Sequence, residues 1–359
     1  KSAGYGITTG DQNTALGRST LTATCTGDDN TAVGYAALNA NTTGTRNIAV
    51  GKNCLDANTT GTDNVGVGLG ALGSCTTATY NVAVGNYALN TTTTGIKNVA
   101  LGHGAMGDNT EGDYNVAIGE NCLADNTTAN HNTAIGMDAL RVNTTSSYNT
   151  AIGTSALASN TSGTSNVGVG YYAGEAITTG SQNTSVGRWA GDSITTGDNN
   201  TSIGYDAGDT TTTGSNNTSI GYNAEPTSAT ASQQITLGNS SNDALRCNVQ
   251  TISSLSDARD KINIINLPEG LEFLNKLKPV KFEWSTRDGN GKDGSYEHGF
   301  IAQDLQNVQK ENNADYLKMV IDDNPDRLEA SYGKLVPILV QAIKELSTKV
   351  TQLEVKLNG

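Results

Sequence analysis

The chain has 359 residues, enough for two domains, yet only 16% are charged, 42 are glycine, and Phe and Trp together number five. That composition excludes a large aromatic core over most of the length, so order has to come from repetition or self-association. The formal net charge of -13 argues against nucleic-acid binding, which needs a basic surface, and the absence of an apolar run of about 18 residues argues against membrane insertion.

The charge is unevenly divided: residues 1–239 carry 7 Lys and Arg against 17 Asp and Glu, and residues 240–359 carry 15 against 18. The first residues, Lys1-Ser2-Ala3-Gly4, have no apolar stretch and fall inside the repeat described next, so the sequence reads as part of something longer. Five cysteines follow no ligand-like spacing. Cys54 and Cys122 stand where other repeats have Ala37, Ala88 and Ala105, and they read as small buried thiols. No metal and no cofactor are expected.

Asparagine recurs every 17 residues from Asn13 to Asn217, and a glycine follows each by four, from Gly17 to Gly221. A further turn is legible at Ile235-Thr236-Leu237-Gly238, with Gln234 in the asparagine place. A coiled coil would reject a glycine in every turn. Val82, Val84, Val99 and Leu101 alternate with Ala83 and Ala100, which is strand patterning. The larger residues are expected in a dry core, and the small one on the other face permits close approach. Glycines such as Gly85 and Gly102 turn the backbone sharply at the strand end. Ala-Leu pairs mark a second run, Thr-Thr-Gly returns the chain, and aligned asparagines form amide ladders.

These features predict a mainly β fold, a β-solenoid over 1–238. A coil this small leaves little room for a core of its own, so the leucines from Leu38 to Leu157 are expected to line the contact with other chains. From Gly174 the leucine position becomes glycine (Gly174, Gly191, Gly208), and Tyr172, Trp189 and Tyr205 appear nearby. The array resembles the head repeats of trimeric autotransporter adhesins, and more closely the longer-period version in phage tail fibres. That resemblance implies left-handed β-rolls assembled as trimers.

Residues 239–255 read as a linker. Beyond it glycine thins, Lys and Glu rise, and the period stops. The predicted elements are a short helix from Leu267 to Leu277 ended by Pro279, a strand over Val280–Trp284, a turn-rich loop from Asp288 to Gly294, and a strand-to-helix passage over His298–Leu305. A last helix opens near Pro337, which its first turn tolerates. It carries Val336, Leu339, Ile343, Leu346, Val350, Leu353 and Leu357 in alternating steps of three and four, a heptad seam that one chain cannot cover. β-Branched residues at one seam position and leucine at the other lean toward a dimer, whereas the solenoid resemblance implies a trimer.

Residues 256–359 resemble the intramolecular chaperone domain of phage endosialidases, tail fibres and neck appendages, peptidase family S74. The resemblance rests on Ser256, Asp257, Lys261 and Ile264, on Gly299-Phe300-Ile301-Ala302-Gln303, and on Tyr332-Gly333-Lys334-Leu335-Val336-Pro337. It implies an α+β domain ending in a coiled-coil helix, which trimerises, drives folding of the upstream fibre and cuts the Leu255–Ser256 bond. Ser256 is then the nucleophile and Lys261 its base, provided burial lowers the lysine pKa. Asp257 orients Lys261 or the backbone, and His298 is a further supporting candidate.

Three functions compete. The first is a structural segment of a viral tail fibre or appendage, located in the virion, contacting other tail proteins and a host surface receptor or glycan. The second is a cell-surface adhesin with the same repeats and chaperone cap. The third is a glycan-degrading spike, which needs paired carboxylates at fixed separation, whereas Asp63, Glu111, Asp113 and Glu120 hold no fixed repeat position.

Overall fold

The computed structural model describes residues 3–242, 256–285, 294, 296–322 and 328–358. Leu255, Cys247, most of the 239–255 linker and most of the 288–294 loop lie outside the described residues. The chain divides into two compact units, Lys1–Asn239 and Ser240–Gly359.

The first unit is a β-solenoid. Three-residue strands, from β1 (Thr14–Leu16) to β14 (Ile235–Leu237), form one 14-stranded parallel sheet in strict chain order. Each residue pairs with its equivalent one repeat on, as Ala83 does with Ala100. Buried asparagines close the coils. Asn98 Nδ2 donates to Gly112 O at 2.7 Å, while its Oδ1 accepts the Asn115 backbone N–H at 2.9 Å. The same arrangement recurs from Asn30 to Asn217. A buried amide stripped of such partners costs about 1–3 kcal/mol, so each side chain fixes both the closing turn and the next strand. A second ladder joins Asn58 Nδ2 to Asn41 Oδ1 at 2.8 Å and to Gly61 O at 3.1 Å.

The strand-ending glycines are required. Gly102 has φ 137°, and a Cβ there would overlap the Gly119 carbonyl. Each coil also bends at residues other than glycine: Lys97 (φ 57°), Tyr87 (φ 60°) and Leu89 (φ 49°), with equivalents along the array. Left-handed residues of this kind cost about 1–3 kcal/mol each, and burial together with the amide ladders has to offset that.

Two expectations are corrected. Leu38 to Leu157 are fully buried, so they form the core of the coil and not a contact edge. The interior is narrow, and it takes the middle alanine of each strand, such as Ala83 and Ala100, while Val84, Leu101 and Ile118 stand partly exposed outside. Cys54 and Cys122 occupy alanine places in that core, where burial pushes both thiols up to about 12.

The core changes composition at one place. Where Leu157 gives way to Gly174 and Gly191, Asn160 gives way to Ile177 and Ile194. A Cβ on Gly174 would lie 2.9 Å from Leu157 Cδ2 and 3.0 Å from Ile177 Cδ1, so isoleucine fills the room that leucine vacates. The second ladder stops here, and Asn160 Oδ1 is buried without a hydrogen-bond partner. Gly174→Leu alone is therefore expected to lose about 1–3 kcal/mol by overpacking. Adding Ile177→Asn should recover at least about 1 kcal/mol of it, because the new amide can donate to Asn160 Oδ1. Denaturant melts of both single variants and the double variant test this, and simple additivity would refute the size exchange.

Near the end of the array, burial pushes Asp192 up to about 6, assisted by Asp209, Asp206 and Glu175, and pushes Glu225 up to about 7. The Glu225 carboxylate accepts hydrogen bonds from the Asp209 and Thr210 backbone N–H groups. Raised carboxylates favour the protonated folded state, so their contribution is complete below about pH 4 and is lost as pH rises through 6 to 7. The last coils should accordingly melt at lower denaturant at pH 7.5 than at pH 4.5, and Asp192→Asn should flatten that difference.

In the second unit the helix expected over Leu267–Leu277 is reduced to α1 (Leu271–Leu274). β15 (Val280–Glu283) pairs antiparallel with β16 (Tyr296–Gly299), followed by α2 (Ala302–Glu311), the short pair β17 (Val320–Ile321) and β18 (Glu329–Ala330), and α3 (Leu335–Asn358). Phe273, Leu277, Leu305, Met319, Leu335 and Ile338 make the core. Glu345 of α3 accepts the Leu271 N–H at 2.8 Å, and a side chain at Gly270 would collide with its carboxylate.

Candidate active site

A single tight turn brings the predicted nucleophile and base together. Ala258–Asp260 forms one 3-10 turn, and Asp257 caps it by accepting the Arg259 backbone N–H at 2.9 Å. Lys261 then leaves in extended conformation, its N–H bonded to Ala258 O at 3.2 Å. The result is that Lys261 Nζ donates to Ser256 Oγ at 2.5 Å.

Of the two partners expected for Asp257, Lys261 or the backbone, it takes the backbone, and a further cation joins it. Its carboxylate is gripped by the Arg259 guanidinium, with Nε 3.0 Å from both oxygens, and this holds the carboxyl below its usual range. Asp257 thus shapes the turn and does not touch Lys261. Arg259, two positions on, was the sequence signal for this pairing. His298 sits exposed on β16 opposite Lys281, and among the described residues no hydrogen bond links it to Ser256 or Lys261.

The chemistry has one unmet condition. A lysine accepts a proton only when neutral, and burial is what favours that form. In the single chain Ser256 and Lys261 are both exposed, so the burial on which the lysine's role depends is not met there. Three neighbours are also uncovered: Ile262, Ile264 and Ile265 are 86%, 70% and 82% exposed.

The other two sequence blocks meet each other. The Tyr332 hydroxyl accepts the Phe300 N–H at 3.3 Å, the two rings pack edge to face, and the missing side chain of Gly299 leaves room for that hydroxyl. Tyr332 thereby ties the start of α3 to the strand-to-helix passage before α2, a contact that spacing alone did not suggest.

Residues 256–313 match the Peptidase_S74 family model, described as the chaperone of endosialidase. The match begins at Ser256 and takes in the Ser256–Lys261 turn, the β15–β16 pair and α2. The chain therefore carries a C-terminal S74 chaperone domain behind its β-solenoid. No curated protein matches the chain.

The geometry ranks the four polar residues. On denaturing gels, any cut between Leu255 and Ser256 is expected to vanish in Ser256→Ala and in Lys261→Gln and to persist in His298→Ala. A block in His298→Ala would restore the histidine to the site.

Proposed function

We propose that this chain is a segment of a viral tail fibre or appendage that assembles as a homotrimer of left-handed rolls and serves host attachment. The observation that carries this reading is apolar surface that one chain leaves uncovered. The residue before each strand-ending glycine is aliphatic at all fourteen strands, from Leu16 to Leu237, and it stands exposed or half-exposed on the outer face of the coil. A soluble single chain rarely keeps so long an aliphatic row in water. The row is the contact surface to other copies, in place of the leucines first expected there.

The last helix supports the same reading. Leu335, Ile338 and Ala342 face its own unit, whereas the heptad seam, Val336, Leu339, Ile343, Leu346, Val350, Leu353 and Leu357, is exposed along its whole length. Helices with such a seam associate through it, and gathering the ends first would set the register of the repeats. The domain then acts as a folding chaperone for the array.

Assembly also supplies what the Ser256–Lys261 pair lacks. A neighbouring copy covering Ile262, Ile264 and Ile265 would dry Lys261 and allow Nζ to take the Ser256 hydroxyl proton. Ser256 Oγ attacks the Leu255 carbonyl carbon, the peptide C–N bond breaks, and the amine of Ser256 leaves protonated. Water then hydrolyses the resulting ester, so the cut follows trimer formation.

Light scattering on the purified chain is expected to give three times the 37.1 kDa chain mass. Leu346→Lys with Val350→Lys should abolish the trimer and any cut at Ser256 together. A wild-type mass of one or two chains would refute the trimer, and cutting in a monomeric variant would refute its dependence on assembly.

A further inference from the structure

One stretch of the array carries aromatic rings that its fold does not use. Tyr171, Trp189, Tyr205 and Tyr222 stand on four successive coils, each one or two residues after a strand-ending glycine. Neighbouring ring centroids are 6.4, 5.7 and 5.6 Å apart. The three tyrosines are exposed and Trp189 is half-buried. Earlier coils carry scattered rings at these places, Tyr35, Tyr87 and His103, but others have none, as at Glu120-Asn121 and Thr154-Ser155, so closing a coil makes no demand for a ring there. The rings are nonetheless held firmly. The Arg188 guanidinium lies 3.6 Å from the Trp189 centroid and within 5.8 Å of those of Tyr171 and Tyr205, a cation–π brace across three rings.

Rigid exposed Trp, Tyr and Arg side chains are the composition of a binding surface. Three features select its ligand. The rings have polar rims, hydroxyl or indole N–H, which suits a ligand that presents C–H faces edged by hydroxyl groups. Asp192, Asp206 and Asp209 lie alongside against the single cation Arg188, so an anionic polymer is repelled. The rings recur coil by coil on one rigid frame, which suits a ligand that itself repeats.

We propose that Tyr171, Trp189, Tyr205 and Tyr222 form a platform for a neutral carbohydrate chain, with sugar faces stacked on the rings and nearby carboxylates accepting hydroxyl hydrogen bonds. This deepens the attachment reading and rests on it, since it assigns the site and the ligand class. It places attachment on the side of the array.

The test uses the full chain with Trp284→Phe, which leaves Trp189 as the only indole, after light scattering has established its mass. Tryptophan emission is followed while dextran, galactomannan, a soluble β-glucan or heparin is added. At least one neutral polysaccharide should shift the emission, Tyr205→Ala should weaken binding about tenfold, Tyr205→Phe should retain it, and heparin should give no shift. An assembled chain that responds to none of the neutral polymers overturns the platform, as does equal affinity in Tyr205→Ala or a Trp189 shielded from acrylamide by a neighbouring copy. Binding by a chain with the wrong mass keeps the platform and sinks the trimeric fibre instead.

Discussion

One buried asparagine per coil is the constraint on which the array depends. Its carboxamide meets two demands at once, accepting the N–H of its successor in the next coil and donating to a carbonyl of the turn that closes that coil, as Asn98 does with Asn115 and Gly112. An aliphatic side chain of the same size would leave both backbone groups stranded away from water. Because the bonds run from one coil to the next, every coil needs its neighbours, and the array orders as a unit. The strained left-handed residues at Tyr87, Lys97 and Leu89 persist because the ladder and the core over-determine them.

Much of this was legible in the residues. The spacing of asparagine and glycine set the coil, and alternation around Ala83 and Ala100 set the strands. Which side of the strand faces inward was not legible, because alternation defines two faces without saying which is enclosed. The narrow interior decided it: at the middle strand position a small residue such as Ala83 or Ser185 fits inside, and the larger residues flanking it stay less buried. Leu38 to Leu157, expected on an outer edge because the coil is small, instead fill that interior beside the alanines. The exchange of leucine for glycine at Gly174 was visible in sequence, but its complement at Ile177 becomes apparent only when both are seen to share one space.

At the candidate site, a single capped turn is enough to make residues five apart meet, and it brings Ser256 and Lys261, paired through the family resemblance, into contact. Of the two roles expected for Asp257 the backbone one is present, while the nearer cation Arg259 takes the carboxylate in place of Lys261. The single chain presents a nucleophile and a base in contact but in water, beside three uncovered isoleucines. An uncovered seam, an uncovered aliphatic row and an exposed lysine are the three observations on which the proposed self-assembly rests.

The exchange at Gly174 also bears on how such a chain can change length. Within the leucine-containing part, gain or loss of one whole 17-residue unit leaves each coil beside a neighbour of similar internal size, with leucine or Met106 at the large position. A unit cut across the junction does not, since one coil could then hold a leucine and an isoleucine together. Such a chain can therefore change length by whole units on either side of the junction, provided that no coil receives both a leucine and an isoleucine.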